Sequence, residues 1–156
     1  MKIYDISMTV TPDMPVYKGR TEKRPHMSTD SDFTTGTAYE TRVNMNLHTG
    51  THIDAPLHFV EGGGTIDQIP LEKVVAKCRV VDVTHVKSGI SAEDLKDKPI
   101  GKGDFVLLKS RSSFEDILEG DFIYLDGTGA KYIADKGVIG VGSDSLGIER
   151  AQPAHE

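Results

Sequence analysis

The stretch CRVVDV, residues 78–83, is predicted to be a strand, and it begins the part of the chain that decides the fold class. A helix start follows at residues 91–94, where Ser91 is the N-cap and Asp94 takes the place of the usual Glu of a capping box. Further strands are predicted at 104–108, 122–125 and 138–141, with short helical segments at 114–118 and at 130–135 before Gly137. Strands that alternate with helices in this way predict an α/β fold.

The first half of the chain has its clearest pattern in TRVNMNLH, residues 41–48. Apolar Val43, Met45 and Leu47 alternate with polar residues, which predicts a strand with one apolar and one polar face. His48 would end the polar row of side chains.

The residues before this strand carry weaker signals. Residues 2–8 are predicted to form a first strand, and the polar residues 18–37 a long loop. The densest basic group, residues 18–24, is interrupted by Glu22 and is interpreted as part of that solvated loop. No internal repeat, linker or low-complexity segment divides the chain, so residues 1–156 are predicted to form one domain.

Composition excludes several classes of function. The formal net charge is −6, and no basic face is evident, so no nucleic-acid partner is expected. No apolar run approaches the roughly 20 residues of a membrane span, and MKIYDISMTV lacks the features of a secretion signal, so no membrane partner is expected. The only cysteine, Cys78, suits a reducing compartment, and the cytoplasm is the expected location.

The motif HTGTHIDAPLH holds three of the six histidines of the chain. His48, His52, Asp54 and His58 are separated by even numbers of residues, so an extended chain would place all four on one face. Two imidazoles and one carboxylate form a ligand set found at catalytic zinc, where a further position stays open for water. A purely structural cluster of hydrogen-bonding side chains is the alternative interpretation.

A straight strand could not form such a site. It would separate His48 from His52 by roughly 13 Å, whereas two imidazole nitrogens on one ion must each lie about 2 Å from it. We therefore expect the chain to curl inward at Gly50, which permits a bend at little steric cost.

The motif closely resembles the signature of the cyclase family of metal-dependent hydrolases, which includes the bacterial kynurenine formamidases. That signature is His, any residue, Gly-Thr-His, any residue, Asp-Ala-Pro, any residue, His, and every fixed position is filled here. The opening segments YDIS and TPDMPVY, and GVIGVGSDSLG at residues 137–147, are also similar to the family, so the likeness covers essentially the whole chain. It implies a single swivelling β/β/α-type domain with a mixed sheet, assembled into a homo-oligomer (a dimer or a tetramer). It also implies a divalent metal as cofactor, with zinc ahead of manganese.

The resemblance also implies roles for individual residues. His48, His52 and Asp54 match the metal ligands, and His58 matches the general acid/base histidine. Tyr17 matches an aromatic residue that lines the substrate pocket.

The chain departs from the family pattern in two places. Lys18-Gly19-Arg20 replaces the usual proline-glycine-aspartate context after the aromatic residue, so substrate preference does not carry over. The remaining metal ligands of the family, a histidine and then a glutamate, lie in a later segment, of which only His155 is a candidate. The C-terminal part of the family fold is therefore expected to be missing.

The expected function is metal-dependent hydrolysis of a small amide, formamide or cyclic amide, as in an arylformamidase. A bound divalent ion would lower the pKa of its water from near 16 toward about 7, and His58 would transfer protons. The alternative is a non-catalytic metal-binding or scaffold protein that retains the motif. A serine hydrolase using Ser143 or Ser145, and a phosphate-binding turn at residues 127–129, are weaker hypotheses because neither matches its known motif.

Overall fold

The computed structural model describes residues 4–115 and 122–150. It contains seven strands: β1 (His26–Ser31), β2 (Glu40–Asn44), β3 (Cys78–Asp82), β4 (Gly89–Ile90), β5 (Phe105–Lys109), β6 (Tyr124–Leu125) and β7 (Gly140–Ser143). The described residues also form three α-helices: α1 (Leu71–Val74), α2 (Ala92–Leu95) and α3 (Gly127–Asp135). The chain divides into two compact units, Met1–Asp54 and Ala55–Glu156. No α-helix of the described residues is both long and apolar enough to span a bilayer.

The first unit is built around an antiparallel ladder between β1 and β2. His26 pairs with Asn44, and the register shifts between Thr29 and Ser31. The prediction of one long loop over residues 18–37 is therefore wrong at β1. The sequence HMSTDS has no apolar alternation, and the strand forms because β2 supplies backbone hydrogen-bond partners.

The strand predicted at residues 41–48 is confirmed only as far as Asn44, where β2 ends. The chain turns immediately afterwards, and Leu47 is 82% exposed, so the predicted apolar face is not buried. The first strand, predicted at residues 2–8, is also not formed over the described residues 4–8. Alternation alone does not make a strand, because a ladder needs a partner; the Met8 N–H instead donates to the Thr51 hydroxyl at 2.8 Å.

The second unit holds a three-stranded parallel sheet in the order β3-β5-β7 and a two-stranded parallel sheet of β4 and β6. The α/β class is confirmed, with parallel and antiparallel pairing in separate sheets. Alternate residues of β5, Val106 and Leu108, point into the core. That core consists of aliphatic side chains: Val81, Val83, Val86, Ile90, Leu95, Ile100, Val106, Leu108, Ile123, Leu125 and Ile133.

The helix predictions in this unit are largely correct. Ser91 caps α2 and Asp94 completes the capping box, as the sequence predicts. Helix α3 begins three residues earlier than predicted. Asp126 is its N-cap, because the Asp126 carboxylate accepts hydrogen bonds from the Thr128 and Gly129 N–H groups. Of the turn predicted at 114–118, residues 114 and 115 are not helical, and the rest lies outside the described residues.

Candidate metal centre

The backbone after β2 brings the predicted ligands of the first unit into one loop. The Asn46 side-chain oxygen accepts a hydrogen bond from the His48 N–H at 2.9 Å, and the Asn46 carbonyl accepts one from the Thr49 N–H at 3.0 Å. These two bonds form a turn that ends the strand. Gly50 follows with φ of +73°, the left-handed conformation that favours glycine. The inward bend predicted at Gly50 is therefore confirmed.

Buried contacts with earlier parts of the first unit hold this turn in place. Thr49 is only 5% exposed, and its hydroxyl donates to the Lys23 carbonyl at 2.9 Å. A Cβ atom added to Gly50 would lie 3.1 Å from the Met14 methyl, so the loop packs closely on buried Met14. The sequence did not reveal this buried hydrogen bond, because it joins residues that lie 26 positions apart in the chain.

The bend brings His48, His52 and Asp54 together. His48 Nδ1 lies 2.8 Å from Asp54 Oδ1, and His52 Nε2 lies 3.5 Å from the same oxygen. The two imidazole rings are 5.1 Å apart between centroids, with an interplanar angle of 79°. The three side chains that the sequence predicted to lie together therefore converge, because the chain bends at Gly50.

The remaining nitrogen of His52 is also accounted for. His52 Nδ1 lies 2.7 Å from the Gly50 carbonyl oxygen, which can only accept, so Nδ1 carries the proton. In the neutral ring, the Nε2 lone pair is then on the side of Asp54. A backbone carbonyl that fixes the tautomer in this way is the usual support of a metal-binding histidine.

A bound divalent ion fixes the spacing of its ligand atoms. Ligand atoms at about 2.0–2.2 Å from a metal lie roughly 3.0–3.5 Å from one another in octahedral or tetrahedral geometry. The 3.5 Å between His52 Nε2 and Asp54 Oδ1 is within this range, whereas the 2.8 Å between His48 Nδ1 and the same oxygen is the distance of a direct hydrogen bond. His48 and Asp54 are close enough to share an ion after a small separation of these two atoms. All three side chains are partly exposed, which leaves them accessible to solvent.

His58 lies in the second unit, at the end of the 3-10 turn Pro56–His58. Its ring contacts the Phe59 ring at 4.2 Å between centroids. The Leu57 N–H donates to the Gly64 carbonyl at 3.1 Å, and a Cβ atom on Gly63 would lie 2.8 Å from the Pro56 carbonyl carbon. The glycine-rich segment 62–64 therefore packs closely against the turn that carries His58, a role that the sequence did not reveal.

The other two predicted site residues have different outcomes. Tyr17 begins the 3-10 turn Tyr17–Gly19 and is half-buried, with the Lys18 and Lys23 ammonium groups at 5.2 and 5.5 Å from its ring centroid. His155 lies outside the described residues.

The serine hydrolase hypothesis finds no support in the hydrogen bonding. The Ser145 hydroxyl is 2.9 Å from the Ser112 hydroxyl, and Ser143 Oγ accepts from the Ser145 N–H. Within residues 4–115 and 122–150, neither serine hydrogen-bonds to a histidine. Asp144 instead accepts from the Ser110 N–H and hydroxyl at 2.8 and 2.7 Å, which joins the ends of β5 and β7.

The glycines at residues 127–129 are also explained without a phosphate. Asp126 already occupies the N–H groups at the start of α3. Gly129 is required for packing, because a Cβ atom there would lie 2.4 Å from the Ile90 carbonyl oxygen. The phosphate-binding hypothesis is therefore disfavoured.

The fold and this cluster define a class of protein: an α/β protein whose histidine and aspartate side chains are arranged to hold a divalent ion. The chain belongs to the Cyclase family, whose model matches residues 4–150. It is 31% identical over 153 residues to a kynurenine formamidase of Erythrobacter litoralis, covering 95% of this chain and 68% of that protein.

Two solved structures agree with this assignment. One is described as a potential metal-dependent hydrolase with cyclase activity (46% identity, TM-score 0.87, 99% of this chain and 73% of the other). Another is a predicted metal-dependent hydrolase from Bacillus stearothermophilus (47% identity, TM-score 0.85, 99% of this chain and 74% of the other). The chain is therefore a hydrolase of the Cyclase family, and the neighbours together with the His–Asp cluster support a divalent metal as cofactor.

Proposed function

We propose that this protein is a metal-dependent amidohydrolase that cleaves a small amide, formamide or cyclic amide, in the manner of an arylformamidase. The observation that carries the proposal is the convergence of His48 and His52 on a single oxygen of Asp54. The likeness to a kynurenine formamidase supports a carbon–nitrogen bond as the target.

His48, His52 and Asp54 would hold the ion, zinc ahead of manganese, because both accept imidazole and carboxylate ligands. When bound, a divalent ion supplies a lowered pKa for water and a positive charge beside the carbonyl oxygen of the substrate. Asp54 contributes the negative charge that fixes the cation, and the Gly50 carbonyl keeps His52 in the tautomer that a cation requires.

His58 is proposed as the general acid/base. A ring nitrogen of His58 takes a proton from the attacking water and returns it to the leaving nitrogen as the carbon–nitrogen bond breaks. An imidazole suits both steps, since its ring nitrogens can accept and donate a proton. Tyr17 is proposed to contact the substrate through its ring.

Metal content and product release test the proposal together. Purified protein is loaded with Zn²⁺ or Mn²⁺, and the bound metal is quantified. Formate release is followed with a panel of aryl formamides, and ring opening to the amino carboxylate is followed with a panel of lactams. We expect His58→Ala to lower kcat by about 10²–10⁴-fold at unchanged metal content. The control is His26→Ala, an exposed histidine of β1, which should retain full activity.

Two outcomes would contradict the proposal. Metal-loaded protein that releases no product from any substrate of the panel would favour a metal-binding scaffold. Full activity of His58→Ala would remove His58 from the mechanism. We also propose a homo-oligomer, a dimer or tetramer, which light scattering of the purified protein can test.

A further inference from the structure

The segment around Tyr17 concentrates positive charge in a protein whose formal net charge is −6. Residues 18–24 contain four basic side chains and one acidic one, a local net charge of +3. Two of these, Lys18 and Lys23, place their ammonium groups 5.2 and 5.5 Å from the centroid of the same Tyr17 ring. Each ammonium group is attracted to the face of the ring, and the shared ring keeps two positive charges in one neighbourhood, where an anion would be attracted by both.

Among residues 4–115 and 122–150, neither Lys18 nor Lys23 forms an ion pair. Glu22 lies between them in sequence, yet it is exposed and makes no salt bridge to either lysine in that part of the chain. The two ammonium groups therefore remain available to an anion from solution.

The backbone at Lys18 is strained. Its φ of 55° makes it the only non-glycine residue of the described chain in the left-handed region, and Gly19 follows with φ of 60°. A glycine would adopt this conformation at position 18 with less strain. A lysine held there against its backbone preference indicates that the side chain is needed, since such strain tends to occur at functional sites.

The basic segment is fixed directly to the candidate metal loop within the first unit. The Thr49 hydroxyl, between His48 and Gly50, donates to the carbonyl of Lys23 at 2.9 Å. Thr49 is buried, and so is Met14, against which Gly50 packs. Lys23 itself is half-buried, so its position is coupled to that of the loop.

We propose that Lys18 and Lys23 are specificity-determining residues that bind a carboxylate of the substrate beside the Tyr17 ring, so that the enzyme prefers anionic aryl amides. The inference rests on the proposed amidohydrolase function and narrows its substrate class. The aromatic ring of the substrate lies beside Tyr17, and its carboxylate receives charge-assisted hydrogen bonds from the two ammonium groups. One of the two lysines, Lys18, belongs to the tripeptide 18–20 that departs from the usual family context.

The test compares two formamides that differ by one carboxylate: formanilide, which is neutral, and 2-formamidobenzoate, which is anionic. Each consumes one water and yields formate and an arylamine. We expect the wild type to favour 2-formamidobenzoate, and Lys18→Gln and Lys23→Gln each to raise its KM by about 10-fold, with kcat and the KM for formanilide unchanged. Raising the salt concentration from about 0.05 M to about 0.5 M should raise the KM only for the anionic substrate, because salt screens the attraction between opposite charges.

Three further variants separate binding from folding. Lys18→Arg keeps the charge and should restore a low KM. Lys18→Gly relieves the backbone strain, so its Tm should not fall although it loses selectivity. Lys87→Gln removes one charge from an exposed site in the second unit and should behave as wild type.

A measurement of ligand binding without turnover tests the anion site independently of the proposed hydrolase activity. Calorimetry with benzoate and with benzyl alcohol measures anion preference without turnover, and benzoate should bind the wild type more tightly than it binds Lys18→Gln. If neither formamide is hydrolysed but benzoate shows this dependence, the catalytic proposal fails and the anion site stands. If both formamides are hydrolysed with equal KM in wild type and variants, or benzoate binds all of them alike, the anion site is refuted.

Discussion

Gly129 gives the sharpest test of how the second unit is packed. It lies in the first turn of α3, where a Cβ atom would sit 2.4 Å from the Ile90 carbonyl oxygen and 2.8 Å from the Leu125 side chain. Cβ atoms in proteins essentially never approach other atoms within 3.0 Å, and a backbone carbonyl cannot rotate away as a side chain can. That carbonyl also accepts a hydrogen bond from the Asp126 N–H at 3.1 Å. Gly129→Ala must therefore push the helix away from β4 or break this bond.

The expected cost follows from these two effects. Overpacking costs about 1–3 kcal/mol, and weakening one internal hydrogen bond costs about 0.5–1.5 kcal/mol. Together they predict a loss of about 1.5–4.5 kcal/mol in the free energy of unfolding. For a chain of this size each kcal/mol shifts Tm by about 2–4 °C, so Tm should fall by at least about 3 °C.

Gly127→Ala is the matched control. It makes the same substitution two residues earlier in the same helix, at an exposed position where a Cβ atom would meet nothing within 4 Å. Because alanine reduces the freedom of the unfolded chain, this variant should gain about 0.4–1 kcal/mol. Differential scanning calorimetry or chemical unfolding measures both. Equal Tm values for the two variants would refute the packing argument.

The remaining predictions concern metal binding and pH. Asp54→Asn removes the charge on which both histidines converge, so calorimetric affinity for Zn²⁺ or Mn²⁺ should fall by about 100-fold or more, whereas exposed Asp67→Asn should bind normally; equal affinities would exclude Asp54 as a ligand. Hydrogen bonds from the Ser91 hydroxyl and N–H hold the pKa of Asp94 below its ordinary value of 3.8. A depressed folded-state pKa stabilises the fold above the unfolded pKa, and this contribution is lost as pH falls through the folded value. Asp94→Asn should therefore lower Tm by about 2–4 °C at pH 7, for a lost cap of about 1 kcal/mol. The difference from wild type should shrink below pH 3.8, and a difference independent of pH would contradict the assignment.

The sequence predicted well wherever the cause was local. The capping box of Ser91 and Asp94 depends on residues three apart, and the structure contains it. The strand at Cys78–Asp82 follows from local propensity and agrees within one residue. The bend at Gly50 was predictable because neighbouring histidines could share an ion only if the chain curled.

Predictions failed where a distant part of the chain supplied the partner. β1 has no apolar alternation and exists because β2 pairs with it, while residues 4–8 alternate yet form no ladder in the described structure. The start of α3 shifted to Gly127 because Asp126 caps it, and Gly129 is needed because β4 lies against the helix.

The sequence by itself determined which residues make up the candidate metal centre and that they must meet, because three of them, His48, His52 and Asp54, occupy seven consecutive positions. Only the tertiary structure decided how they are supported and what lies beside them. The Thr49 hydroxyl donates to the carbonyl of Lys23, 26 residues earlier in the chain, and this bond joins the metal loop to the segment in which the Lys18 and Lys23 ammonium groups lie over the Tyr17 ring. Such contacts arise from chain packing, which spacing along the sequence does not encode.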